Sequence, residues 1–117
     1  MGRQSLNVLL KMKALLDALN LPDNDIWYDD GCDYARSLMD AEAPYIFTEL
    51  LEHWKTFSEL QQEHLAYILD GGSSKLEDSL IRDMMSSPSK EVSFKAWEAK
   101  NNSSGEQDAA GNPLDVE

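Results

Sequence analysis

Ser58-Glu59-Leu60-Gln61-Gln62-Glu63-His64-Leu65-Ala66-Tyr67-Ile68-Leu69-Asp70-Gly71-Gly72 carries both its own start and its own stop. Ser58 and Gln61 have capping-box spacing, in which each side chain satisfies the other residue's orphan backbone N–H. Gly71-Gly72 ends the run, because glycine enters the left-handed conformation that closes a helix. The stretch therefore reads as one helix from the cap to Leu69. Its wheel gathers Glu59, Glu63, Ala66 and Asp70, flanked by Tyr67, away from Leu65, Ile68 and Leu69.

The same grammar continues on both sides. Ser74-Lys75-Leu76-Glu77 is a second capping box, opening a helix whose Leu76, Leu80, Ile81, Met84 and Met85 face inward. Pro88 separates it from a last helix, 90–100, with Val92, Ala96 and Ala99 on one face. Towards the N-terminus, Pro44 suits a first helical position, and Ile46 or Phe47, Leu50, Leu51 and Trp54 supply an apolar stripe; Lys55-Thr56-Phe57 connects it to Ser58. Residues 26–40 place Tyr28, Cys32, Ala35 and Met39 at helical spacing, with Gly31 inside the apolar arc. A glycine there means either a close packing neighbour or a helix that begins after it. Residues 5–19, with Ser5 as N-cap, carry Val8, Met12, Leu15 and Leu19 on one stripe, and Asn20-Leu21-Pro22 stops them.

No strand pattern interrupts this series, so the expected class is all-α. About six antiparallel helices, stacked as helical hairpins, would form either a HEAT-like α-solenoid or a compact bundle. Leu50-Leu51 matches Met84-Met85 at a spacing of 34, and Leu65-Ala66-Tyr67 matches Lys95-Ala96-Trp97 at 30, which hints at a duplicated helical pair. Residues 1–100 make the single domain. Residues 101–117, polar and rich in turn formers, read as a flexible acidic C-terminal tail.

The 22 acids against 10 bases give a formal charge of -12, concentrated regionally: residues 17–70 hold 13 acids with only Arg36 and Lys55, while 75–100 carry five of each sign. Phosphate contacts need Lys and Arg, so the balance argues against a nucleic-acid or anionic-membrane partner and towards a basic protein. One cysteine, Cys32, excludes an intramolecular disulfide framework and fits a reducing, cytoplasmic setting. The N-terminal stretch, interrupted by Lys11, Lys13 and Asp17, lacks the apolar core of a signal peptide or membrane span.

Between Asp23 and Tyr34 five aspartates alternate with three aromatics. On a wheel, Tyr28 and Cys32, with Trp27 and Tyr34 beside them, turn to the core or its rim, and Asp29, Asp30, Asp33 and Asp40 share the far side with Arg36. A solvated acidic face is the bland reading. The charge asymmetry favours a partner-binding face instead, built of Asp29, Asp30, Asp33, Asp40, Glu59, Glu63 and Tyr67, with Trp27 as the aromatic at its rim.

Catalysis is not expected. Cys32 lies on the apolar stripe, away from any thiol–imidazole motif, and His53 and His64, separated by eleven on different helices, match no zinc spacing even with Glu49, Glu52 or Glu63 added. Asp23-Asn24-Asp25 fails the calcium-loop template because Tyr28 stands where that loop needs glycine. No cofactor or metal is expected.

Leu50 to Lys100, above all Glu63-His64-Leu65-Ala66-Tyr67-Ile68-Leu69-Asp70-Gly71 and Ser87-Pro88-Ser89-Lys90-Glu91-Val92-Ser93-Phe94-Lys95-Ala96, resembles small immunity proteins of bacterial contact-dependent growth inhibition and related polymorphic toxin systems. That resemblance implies an all-α, HEAT-like, acidic cytoplasmic protein that neutralises a cognate toxin domain, often a basic nuclease. A monomer or a 1:1 complex with that toxin is expected, with a HEAT-like adaptor holding a partner helix as the alternative. No interface residue carries over from the family.

Overall fold

The computed structural model describes residues 2–101, with side chains from residue 10 onwards. Apart from Asn101 the expected tail lies outside them, as does the Val8 side chain. Helix α1 spans Gly2–Leu19, α2 Cys32–Ala41, α3 Tyr45–His53, α4 Glu59–Ile68, α5 Lys75–Met85 and α6 Lys90–Asn101. Among the described residues there is no strand, and no helix is long and apolar enough to cross a membrane. The all-α expectation holds.

Local chemistry explains most boundaries. The Ser58 box forms in full: Ser58 Oγ accepts from the Gln61 N–H at 3.1 Å, and Gln61 Oε1 accepts from the Ser58 N–H at 2.9 Å. At Ser74 only half the box forms. Ser74 Oγ accepts from the Glu77 N–H, but the Glu77 carboxylate turns inward to Arg36. A half-buried guanidinium attracts that carboxylate more strongly than an exposed amide does. α1 begins at Gly2, so Ser5 sits inside the helix and does not cap it.

The largest departure from the expected pattern is ahead of α2. A helical turn runs through Gly31 as a π turn, Trp27–Gly31, closed by the Cys32 N–H on the Trp27 carbonyl. The underwound turn moves the inward stripe by one residue: Trp27, Gly31, Ala35, Leu38 and Met39 are buried, while Tyr28 and Tyr34 are 42% and 54% exposed. A regular wheel had placed Tyr28 inside. Gly31 is required by close approach, since a Cβ there would stand 2.7 Å from Leu21 Cδ1 and 3.0 Å from Trp27 Cε3.

α1 packs on α2 and α4, α3 on α5, and α6 on both α5 and α4. α4 and α6 run side by side in the same direction. Ser89 Oγ donates to Glu59 Oε2 at 2.7 Å at their starts, and the Gly71 N–H donates to the Ala99 carbonyl at 3.2 Å at their ends. Ala66 and Ala96 are both fully buried, which corrects the wheel that put Ala66 among the exposed acids. Small residues suit helices packed this closely. At Gly71 a Cβ would meet the Ala99 carbonyl oxygen at 2.9 Å, backbone that cannot easily yield.

Two polar ties cross the core. Trp54 Nε1 donates to Asp83 Oδ2 at 2.8 Å, joining the 3₁₀ turn Trp54–Thr56 to α5. Arg36 of α2 makes a two-point pair with Glu77 of α5, with Nη2 to Oε1 at 3.0 Å, and also donates to the Ile68 carbonyl at 3.2 Å. Glu77 is 1% exposed, and its Oε2 further accepts from the Asp70 N–H at 2.6 Å. Glu77 raises the Arg36 pKa further above its ordinary value.

Candidate functional site: an acidic and aromatic face on α4

α1 ends at Leu19, leaving a backbone carbonyl that needs a donor. His64, 1% exposed on α4, supplies it: Nδ1 lies 2.8 Å from the Leu19 oxygen. A carbonyl only accepts, so Nδ1 carries the proton. The other ring nitrogen, Nε2, points to Asp23 Oδ1 at 3.5 Å without making a hydrogen bond.

Trp27 stacks on this imidazole, with ring centroids 4.0 Å apart and planes 8° from parallel. Tyr67 is tilted above Trp27 at 6.3 Å, and Tyr28 meets Tyr67 edge-on at 5.4 Å. The Tyr28 hydroxyl donates to Asp23 Oδ1 at 2.6 Å. A buried Trp27–His64 layer thus supports an outer layer of Tyr28, Tyr67 and Asp23. Trp27 itself is 0% exposed and cannot touch a partner, which corrects its assignment to the binding face. The π turn rotates it inward.

The Tyr28–Asp23 bond leaves an electrostatic signature. It holds the Asp23 carboxyl below its usual pKa and pushes the Tyr28 phenol up to about 12. Each shift favours the form that bonds: an ionised acceptor and a protonated donor. The Tyr28 contribution to stability is fully present below the ordinary phenol value of about 10 and is lost as pH rises from there to about 12. The Asp23 contribution is present above the ordinary carboxylate value and is lost as pH falls through its lowered one. In an ultraviolet titration one tyrosine should ionise near 12, and Asp23→Asn should return it towards 10. An unchanged titration in that variant would show that the hydrogen bond does not form.

On α4, Glu59, Glu63 and Tyr67 follow one another at intervals of one turn. Glu59 is partly engaged by Ser89. Glu63 makes no hydrogen bond or ion pair among the described residues, and burial pushes its carboxyl up, against the pull of Lys95, with Glu59, Glu91 and Asp23 near enough to add to the rise. Lys95 itself bridges Glu91 at 3.9 Å. The face is therefore continuous from Asp23 and Tyr28, across α4, to Glu91 and Lys95 on α6.

Asp29, Asp30 and Asp33 are exposed at the start of the helical run, where carboxylates also offset the helix dipole. Asp40 is paired with Arg36 Nη2 at 3.1 Å. The side of α2 that meets α4 carries Arg36 rather than an aspartate. The expected single set thus falls into two groups: Glu59, Glu63 and Tyr67 on α4, and the α2 aspartates apart from them. Asp23, Tyr28 and His64 join the first group. Sequence reasoning misses them because it turns Tyr28 to the core or its rim and considers His64 only as a metal ligand or a thiol's partner.

Cys32 is half-buried, its thiol pushed up by burial and then by the Asp33 charge, which suits an inert cysteine. Glu49, Glu52 and His53 bring three ligand atoms within 4.8 Å of one another on the surface of α3. His53 Nε2 lies 3.6 Å from Glu49, one helical turn away, and 3.7 Å from the adjacent Glu52, ordinary neighbours on an exposed helix surface. No protein-family model, no curated protein and no solved structure matches this chain.

Proposed function

We propose that this chain is an immunity protein that binds a basic, nuclease-type toxin domain and occludes it with its acidic surface. The observation that carries this reading is the α4 face, where Glu59, Glu63 and Tyr67 stand beside Asp23 and Tyr28 on a rigid buried layer. A nuclease domain gathers Lys and Arg to hold phosphate. Facing carboxylates compete for that surface and speed encounter, and fixed aromatics slow release. The face is pre-organised, so little side-chain freedom is lost on binding. A cytoplasmic site of action, monomeric until the toxin arrives, belongs to the same proposal.

The helix arrangement supports a HEAT-like architecture. α3 and α4 are followed by α5 and α6, with α3 beside α5 and α4 beside α6, and the Glu59–Ser89 contact spans 30 positions, the spacing of the sequence repeat. One observation favours the alternative, an adaptor for a partner helix: Phe94 and Trp97, 53% and 49% exposed on α6, stack at 5.9 Å and offer an apolar surface.

The test is association with the basic C-terminal domain of a secreted toxin encoded beside this chain, measured by stopped flow. The rate constant should fall about tenfold or more from about 50 to 500 mM salt, and the Glu59→Lys, Glu63→Lys double variant should slow it by about as much. Rates indifferent to both salt and charge reversal would sink the proposal. Loss of binding on Phe94→Ser, Trp97→Ser instead would favour the adaptor.

A further inference from the structure

We infer that the surface bounded by Glu63, Tyr67, Tyr28 and Asp23 is a seat for one arginine side chain of the protein partner, with the guanidinium lying on the Tyr67 ring and forking to the two carboxylates. This inference rests on reading the α4 face as a protein-binding surface and names the group that it takes.

Two independent observations point to a ligand. The first is unmet hydrogen-bond demand: among the described residues Glu63 has no donor, and the one short hydrogen bond to the Asp23 carboxylate is from Tyr28. The second is the orphan beneath. His64 Nε2, in a ring 1% exposed, is aimed at Asp23 Oδ1 from 3.5 Å and has no hydrogen-bond partner among the described residues. A buried polar atom without a partner costs free energy, and this one is aimed at the carboxylate that the seat presents outward.

The chemistry selects arginine over lysine. Glu63 is half-buried, and the raised pKa of its carboxyl reports poor hydration. A guanidinium is weakly hydrated, planar and able to stack on an aromatic face while donating in its plane, whereas an ammonium is a strongly hydrated point charge. Tyr67 is 47% exposed, held edge-on by Tyr28, and offers a ring that is fixed yet open. Lys95 is the resident competitor. It lowers the charge cost at both Glu63 and Asp23 but hydrogen-bonds neither, being engaged with Glu91.

The experiment titrates the whole chain with arginine amide and, separately, lysine amide, following the ring protons of Tyr67 and Tyr28 by NMR. Arginine amide should saturate these signals at millimolar concentration, about threefold or more below lysine amide. Glu63→Gln and Tyr67→Leu should each weaken it about fivefold, and Lys95→Met should tighten it. Equal response to the two amides, shifts centred elsewhere, or indifference to Glu63→Gln would each overturn the seat. If arginine amide binds here while no basic toxin domain does, the seat stands and the immunity reading falls. If such a domain binds equally well to wild type and to Glu63→Gln, the reading stands and the seat falls.

Discussion

Glu77→Ala should destabilise the protein by about 3–5 kcal/mol, read as a lowered urea midpoint, because it removes one member of a buried ion pair and strands the other. Arg36, with its side chain 24% exposed, would keep its charge against the Ile68 carbonyl with only Asp40 to balance it. The Asp70 N–H would lose its acceptor as well. Glu77→Gln retains an acceptor and should cost less. The double variant Arg36→Met, Glu77→Leu should recover much of the loss, since replacing a whole buried pair with apolar groups is often neutral. A Glu77→Ala change below about 1 kcal/mol would mean that water screens the pair.

Trp27→Ala should cost a similar 3–5 kcal/mol, for a different reason: it empties a fully buried indole and leaves the His64 ring without the surface stacked on it. Trp27→Phe is the informative companion. Trp27 Nε1 is buried without a hydrogen-bond partner, so phenylalanine removes an unmet donor while keeping an aromatic ring on His64. We expect that variant to lose only about 1–2 kcal/mol. The Tyr28 and Tyr67 NMR signals should move in Trp27→Ala more than in Trp27→Phe, because the outer ring pair rests on the indole. Equal cost for the two variants would deny any role to the orphan N–H.

Helices with a chemical start and stop were legible in the sequence. The Ser58 box, the Gly71-Gly72 stop and the inward faces of α5 and α6 follow from local hydrogen bonding and apolar spacing. What escaped the reading depends on contacts distant in sequence. Nothing near Glu77 reveals that Arg36, 41 positions away, takes its carboxylate from the expected box. A wheel of fixed pitch cannot anticipate an underwound turn, although Gly31 on the apolar arc was its one local trace. The site shared that fate. Glu59, Glu63 and Tyr67 share a face by helical periodicity alone, whereas Asp23 and Tyr28 reach them only through that turn.

Residues 17–70 hold two bases, which leave most of the acids at the surface unopposed: Arg36 is shared between Glu77 and Asp40, and the Lys55 ammonium lies over the Trp54 ring at 5.7 Å. That half of the molecule must therefore hold a cloud of small cations from solution. A basic partner displaces them, and their return to bulk solvent is a favourable entropy that no contact between the two proteins records.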